Sequence, residues 1–214
     1  MDKNAEAVSM GGCPAFLPEE IDLFLNQAYN EVILNKFTGN NALRTPFEGN
    51  LKRIEDLQGL VVTDSIEYST RSMPLSENPG KANNVIVCPY TDFTEGNGIF
   101  IVLDCKIGHI KDNYDIETCR IVDHETFRKF EVTKHNYPWI DYPVSMIESN
   151  SIFIAFDPET ITLGDMVTVV VTYITKPTII NYKNSQQNIT EVNDNVWYEV
   201  INRAVVLALE NIES

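Results

Sequence analysis

The sequence predicts an α+β protein in which helices from both ends of the chain form one three-helix bundle, with an antiparallel β-sandwich-like domain inserted between them. Three observations support this prediction. Apolar residues recur at helical spacing near both ends, and six short β-branched segments fill the middle. The last of these segments stops at Lys176 and Pro177, from which a polar linker leads to a final helical segment.

The first helix is predicted within PEEIDLFLNQAYNEVILNKF, and the TGNN sequence ends it. Pro18 suits the first helical turn, acidic residues follow it, and Lys36 lies near the other end, as the helix dipole favours. The apolar stripe consists of Ile21, Phe24, Leu25, Ala28 and Val32.

A second helix is predicted to start at Thr45-Pro46-Phe47-Glu48, which has the pattern of a capping box with proline at the first helical position. It is expected to run to about Gly59 or Val61. Its apolar stripe consists of Phe47, Leu51, Ile54 and Leu57. The first two helices would then form an αα-hairpin.

The middle of the chain contains the segments VVTDSIEY, NVIVCPY, GIFIVLDCKIG, TCRIV, SIFIAFD and VTVVVTYI, each predicted to be a strand. In GIFIVLDCKIG, alternation places Asp104 and Lys106 on one face. The opposite face is predicted to carry Ile99, Ile101, Leu103, Cys105 and Ile107. DHETFRKF is predicted to form a short helix capped by Asp123, and NYPWIDYP is predicted to be a loop.

The final helix is predicted to begin near Asp194 or Asn195. Because each terminal segment has an apolar stripe without a nearby partner, we expect residues 16–60 and 194–213 to form the bundle, with residues 61–193 as the inserted β domain and return linker. The main apolar stripe of the final helix consists of Val196, Trp197, Val200, Ile201, Ala204, Val205, Ala208 and Ile212. The helix has more apolar surface than this one stripe. Either the β domain or neighbouring copies would cover this excess, and the candidate subunit interface is Trp197, Tyr198, Val206, Leu207 and Leu209.

The formal charge of −15 predicts repulsion from phosphate backbones and excludes non-specific attraction to duplex DNA. The sequence shows neither a membrane-length apolar run nor a signal-peptide pattern, so we expect a protein that is cytosolic or assembled from the cytosol. The four cysteines are expected to be free thiols, three of them facing the core. The chain contains none of the GxSxG, GxGxxG, HExxH or P-loop patterns, and we expect neither cofactor nor metal.

Two rival interpretations have residues of their own. The proline-containing loop carries Tyr137, Trp139 and Tyr142 and is a candidate partner-docking loop. In a carbohydrate-binding or capsid-decorating β-sandwich, the same three residues would form an aromatic platform instead. Asp123, His124 and Glu125 could act as an acid–base site in an enzyme, although an acidic helix start explains the same residues.

The order of these elements resembles that of a known family. The elements are a helical hairpin EEIDLFLNQAYNEVILNKF…FEGNLKRIEDLQGLV, a β-rich insertion ending in YITKP and a terminal helix VWYEVINRAVVLALE. In this order they resemble the head-to-tail connector proteins, also called ring or tail tubular proteins, of short-tailed, crAss-like bacteriophages. The resemblance implies a structural virion protein without enzymatic activity. It implies a ring, commonly a dodecamer, that contacts the portal protein and other tail or ring proteins while genomic DNA passes through its channel.

Overall fold

The computed structural model describes residues 16–38, 55–69, 85–109, 116–127, 142–156, 165–184, 187 and 189–213. The chain divides into two compact units. One consists of Met1–Leu60 with Pro177–Ser214, and the other of Val61–Lys176. The linker after Pro177 therefore belongs to the helical unit.

The helical unit contains two long helices, α1 (Pro18–Thr38) and α2 (Asp194–Glu213), which begin where the sequence analysis places them. Residues 55–57 are also helical and continue into a 3₁₀ turn, Gln58–Leu60, as expected for the end of the predicted second helix. The start of that helix lies outside the described residues, so the three-helix bundle is not confirmed. The α+β class, with a helix at each end and strands between, is confirmed.

The strands of the β unit form two sheets. The first has the order β1 (Val61–Ser69), β8 (Met166–Thr175), β3 (Ile99–His109) and β4 (Glu117–Thr118). The second has the order β2 (Val85–Pro89), β7 (Ser151–Ala155), β6 (Val144–Glu148) and β5 (Arg120–Ile121). Buried side chains from both sheets meet in one apolar core, as in a sandwich. The two strands that contribute most to it are β8, with Val167, Val169, Val171 and Tyr173, and β3, with Ile99, Cys105 and Ile107; the second sheet contributes Ile152 and Ile154 of β7.

Strand β3 departs from the alternation that the sequence predicts. Two irregularities shift its register against β8, one between Ile99 and Ile101 and one between Val102 and Asp104. Each adds a residue to β3 that has no counterpart on β8. As a result Val102 packs against the core together with Ile99, Cys105 and Ile107. The prediction that Ile101 and Leu103 share the core face is therefore wrong.

The segment TCRIV, predicted as one strand, is two. The chain leaves the first sheet after Thr118, passes through the buried Cys119, and enters the second sheet at Arg120. There β5 pairs with β6 in parallel, whereas every other strand pair among the described residues is antiparallel. The expectation of a purely antiparallel domain is wrong at this edge.

Strand β6 was not predicted, because VSMIE follows a proline-rich loop and lacks clear alternation. It forms a hairpin with β7 through Ser149 and Asn150, both with positive φ (49° and 58°), as a type I′ turn requires. The predicted short helix is present at residues 124–127. The carboxylate of Asp123 accepts a hydrogen bond from the backbone N–H of Thr126 (2.7 Å), which confirms its role as cap.

Candidate interaction surface

Helices α1 and α2 pack against each other along one buried face. On α1 the buried residues are Ala28, Tyr29, Val32 and Ile33, and on α2 they are Val196, Val200 and Ala204. The rings of Tyr29 and Trp197 lie 5.0 Å apart at 38°. An ion pair also links the two helices, because Arg203 donates from Nε to Glu31 Oε2 (2.6 Å). This hydrogen bond holds the pKa of Glu31 below its usual value.

The linker after the β unit is held on α1 by side chains that the sequence analysis did not single out. The amide of Asn26 donates to the carbonyl of Ile180 (2.9 Å) and accepts from the N–H of the same residue (2.8 Å). Glu191 accepts hydrogen bonds from Tyr29 and from both the hydroxyl and the backbone N–H of Thr178. Burial, with the neighbouring carboxylate of Glu191, raises the pKa of Tyr29. Sequence separations of more than 150 residues hide the Asn26–Ile180 and Tyr29–Glu191 contacts from pattern analysis.

A nearly buried cation anchors the C-terminal half of α1. Lys36 donates to Asp56 Oδ2 (2.8 Å) and to a carboxylate oxygen of Glu199 on α2 (3.0 Å). Burial alone would lower the pKa of Lys36, but the two hydrogen bonds outweigh it and the pKa is raised. Lys36 was predicted only as a favourable charge near the helix end; its contacts with Asp56 and Glu199 depend on the tertiary structure.

Helix α2 has a second apolar stripe, on the side that is exposed. Its members are Tyr198, Ile201, Val205, Leu209 and Ile212, spaced three or four residues apart. Tyr198 is 69% exposed and Val205 53%. A repeat of this spacing is typical of a helix face that packs against another helix. We call these five residues the outer stripe.

The outer stripe forms part of the wall of an open apolar cavity of about 300 Å³ between α2 and the N-terminal part of α1. Its lining is entirely apolar. The lining residues are Phe16, Ile21, Phe24 and Leu25, with Ile201, Ala204, Val205, Ala208 and Leu209 of α2. Because Ala204 and Ala208 are small, the two helices leave space there that larger side chains would have filled.

The residues predicted as the subunit interface are divided by the structure. Tyr198 and Leu209 belong to the outer stripe, and Val206 is exposed beside it. Trp197 and Leu207 are half-buried, and Trp197 packs on Tyr29 of the same chain. Ile201 and Val205 were predicted on the main apolar stripe of the helix, and about half of each side chain is exposed.

The predicted docking loop is described only in part. Tyr142 is 72% exposed, whereas Tyr137 and Trp139 lie outside the described residues.

The remaining residues with reactive side chains are the cysteines and His124. Cys88, Cys105 and Cys119 are free and buried in the sandwich core, as predicted. A hydrogen bond with Cys105, together with burial, raises the pKa of the Cys119 thiol, and burial raises that of Cys88. His124 is exposed, with Nδ1 at 3.6 Å from Glu148 Oε2. In the described part of the chain, no three His, Cys, Asp or Glu residues are grouped so that they could hold a metal ion.

No protein-family model matches this chain, and the comparison with curated proteins found no match. The helices that the structure describes are all too short or too polar to cross a membrane.

Proposed function

We propose that this chain is a structural virion protein that forms a ring at the head–tail junction of a short-tailed, crAss-like bacteriophage, with twelve copies as the expected number. The ring extends the portal channel through which genomic DNA passes, and it docks further tail components. In this proposal residues 45–60 complete a three-helix bundle with α1 and α2, and neighbouring bundles stand side by side.

The observation that carries the proposal is the outer stripe. A helix that already buries one apolar face against α1 exposes a second one, and monomeric soluble proteins rarely leave such a continuous surface uncovered. The exposed Ile21 at the start of α1 lines the same cavity as Ile201 and Val205 of the stripe, so the apolar surface continues from α2 onto α1. A neighbouring copy supplies a matching surface.

The charge is compatible with a channel for DNA. A net charge of −15 on each copy repels phosphate, so duplex DNA can pass without adhering. The same charge opposes the approach of copies at low ionic strength, and salt screens this repulsion. Apolar contact, strengthened by salt, is therefore the expected driving force of assembly. The exposed Tyr142 marks the end of the loop proposed to dock a further tail component.

Cryo-electron microscopy of the source particle tests the proposal directly. We expect density for this chain in a symmetric collar between capsid and tail, with the outer stripe of each copy against its neighbour. In particles assembled with the Val205→Glu variant, we expect the collar to be lost, because each interface would bury an unpaired carboxylate.

A matched control adds the same charge elsewhere. Asn35 is exposed on α1 outside the cavity lining, so Asn35→Glu should leave the collar intact. A particle without any ring of this chain would contradict the proposed function. A ring in which the outer stripe faces solvent would contradict the interface but not the ring.

A further inference from the structure

The edges of the two sheets differ in how they are protected from pairing with another chain. Among the described strands, β4 and β5 are edges of two residues each, and β2 is an edge of five residues that ends in Pro89. Strand β1 is an edge of nine residues, all paired one to one with β8 without a bulge. It contains no proline, glycine or lysine. Proteins usually protect edges by shortness, proline, charged side chains or bulges; β1 is long, has neither proline nor bulge, and carries only the acidic residues Asp64 and Glu67 as charges.

A hydrogen bond at the β4 side of β3 determines which backbone groups of β1 point toward β8 and which point to the open edge. The N–H of Cys119 on the β4 side donates to the carbonyl of Cys105 (2.7 Å), so Cys105 faces β4 and the next residue, Lys106, faces β8. Lys106 pairs with Val170, which therefore faces β3 and not β1. Val170 is the partner of Ser65, so the backbone groups of Ser65 point to the open edge of the sheet.

A local hydrogen bond agrees with this orientation. The N–H of Ser65 donates to the carboxylate of Asp64 (2.8 Å), a bond that is possible because β8 does not use this donor. By the antiparallel alternation, Thr63 and Glu67 also direct their backbone groups outward, while Asp64 and Ile66 bond to β8. Among the described residues, no backbone group bonds to the outward groups of Thr63 or Glu67.

We propose that β1 is a docking edge for an extended strand of another protein, which adds a fifth strand to the first sheet. Only an extended chain presents donors and acceptors at the spacing that the outward groups of Thr63 and Glu67 and the outward carbonyl of Ser65 require. The side chains of the same three residues are exposed on the outer face of the sheet, so they would lie beside alternate side chains of the incoming strand.

Charge selects a basic strand over a second copy of β1. Strand β1 carries Asp64 and Glu67 and no base, and the whole chain has a charge of −15. A second copy of β1 carries the same two acids on a chain of charge −15, so it would offer no base to pair with Glu67. A strand with lysine or arginine opposite Glu67 would form a favourable pair instead.

Amide hydrogen exchange, resolved by residue with NMR, tests the proposal with a nine-residue peptide that alternates valine with threonine and lysine. In the free protein we expect slow exchange at Asp64 and Ile66 and fast exchange at Thr63 and Glu67. Saturating peptide should slow exchange at Thr63 and Glu67 by at least about tenfold and leave Asp64 and Ile66 unchanged. A counterpart peptide with glutamate in place of lysine should bind at least about tenfold more weakly.

Two variants distinguish edge pairing from binding elsewhere. Thr63→Pro removes an outward N–H without breaking a bond to β8 and should abolish the protection, whereas Thr63→Val keeps the N–H and should retain it. Glu67→Lys should reverse the preference toward the glutamate peptide, and it serves if the proline variant does not fold.

Three results would overturn the proposal. The first is protection of Thr63 and Glu67 in the free, dilute protein, because the chain itself would then cover the edge. The second is protection that rises with protein concentration alone, because β1 would then pair with itself. The third is a saturating peptide that changes neither amide.

Discussion

The nearly buried pair of Lys36 and Asp56 gives a quantitative test of the helical unit. The two charged atoms lie 2.8 Å apart, and the side chains are only 12% and 7% exposed. Replacement of Lys36 by Met keeps the apolar stem but leaves the Asp56 carboxylate without this partner. Breaking a buried pair from one side costs about 3–5 kcal/mol, and we expect about 3 kcal/mol here because the pair retains slight access to water.

A double variant separates the free-energy cost of the unpaired carboxylate from the cost of lost packing. Lys36→Met combined with Asp56→Leu removes both charges, and we expect it to lose no more than about 1 kcal/mol, since an apolar pair of similar volume often replaces a buried ion pair without cost. Asp56→Asn alone should cost less than Lys36→Met, because Lys36 keeps the carboxylate of Glu199 at 3.0 Å.

Urea denaturation followed by Trp197 fluorescence measures these changes. Trp197 packs on Tyr29 within the helical unit, and a Trp139→Phe background removes the second tryptophan. With a slope of about 1.5 kcal/mol/M, the loss in Lys36→Met corresponds to a midpoint lower by about 2 M. The reasoning would be refuted by a double variant as unstable as Lys36→Met alone.

The pH dependence of the same pair has a definite sign. The pKa of Lys36 is raised above the ordinary value of 10.5, so its contribution to stability is complete below pH 10.5 and is lost as the pH rises through the folded-state pKa. The difference in stability between wild type and Lys36→Met should therefore be constant near neutral pH and decrease in strong alkali.

Three further predictions concern the same unit and the sandwich core. Gly59→Ala should destabilise the helical unit by about 1–3 kcal/mol in urea denaturation, because a Cβ at Gly59 would collide with the backbone oxygen of Glu191. An equally stable variant would show that the turn can shift. Glu31→Gln should lower the thermal midpoint at neutral pH. The difference from wild type should vanish as the pH falls through the folded-state pKa of Glu31, which Arg203 holds below 4.5. A difference that persists in acid would exclude the ion pair as its cause. In a Cys13→Ser background, the three core thiols should resist iodoacetamide in the native protein and react in denaturing urea, because burial and raised pKa values keep the thiolate scarce. Mass spectrometry measures the labelling, and rapid labelling of the native protein would contradict this prediction.

Local signals in the sequence located several elements accurately. Proline at the start of α1 and Asp194 at the start of α2 mark helix starts by their chemistry, and Pro177 marks the end of β8 because it cannot donate to the ladder. Asp123 caps its short helix through a bond to a residue only three positions away. Such signals depend on neighbours within one turn or one strand, so the sequence contains all the information that they require.

Errors arose where the structure depends on the partner strand. The bulges in β3 are defined only against β8, and they decide whether Val102 or Ile101 faces the core. The split of TCRIV depends on the passage of Cys119 from one sheet to the other. Strand β6 is identified by its hairpin with β7 rather than by its own alternation.

The sequence by itself determined that the chain is α+β, that a helix lies at each end, and that α2 has more apolar surface than one partner can bury. Only the tertiary structure decided which apolar residues remain outside. It places Trp197 against Tyr29 and leaves Ile201 and Val205 on the outer stripe. The physical reason is that helical periodicity fixes the angles between side chains around α2, whereas the packing of α1 selects which of those angles is buried.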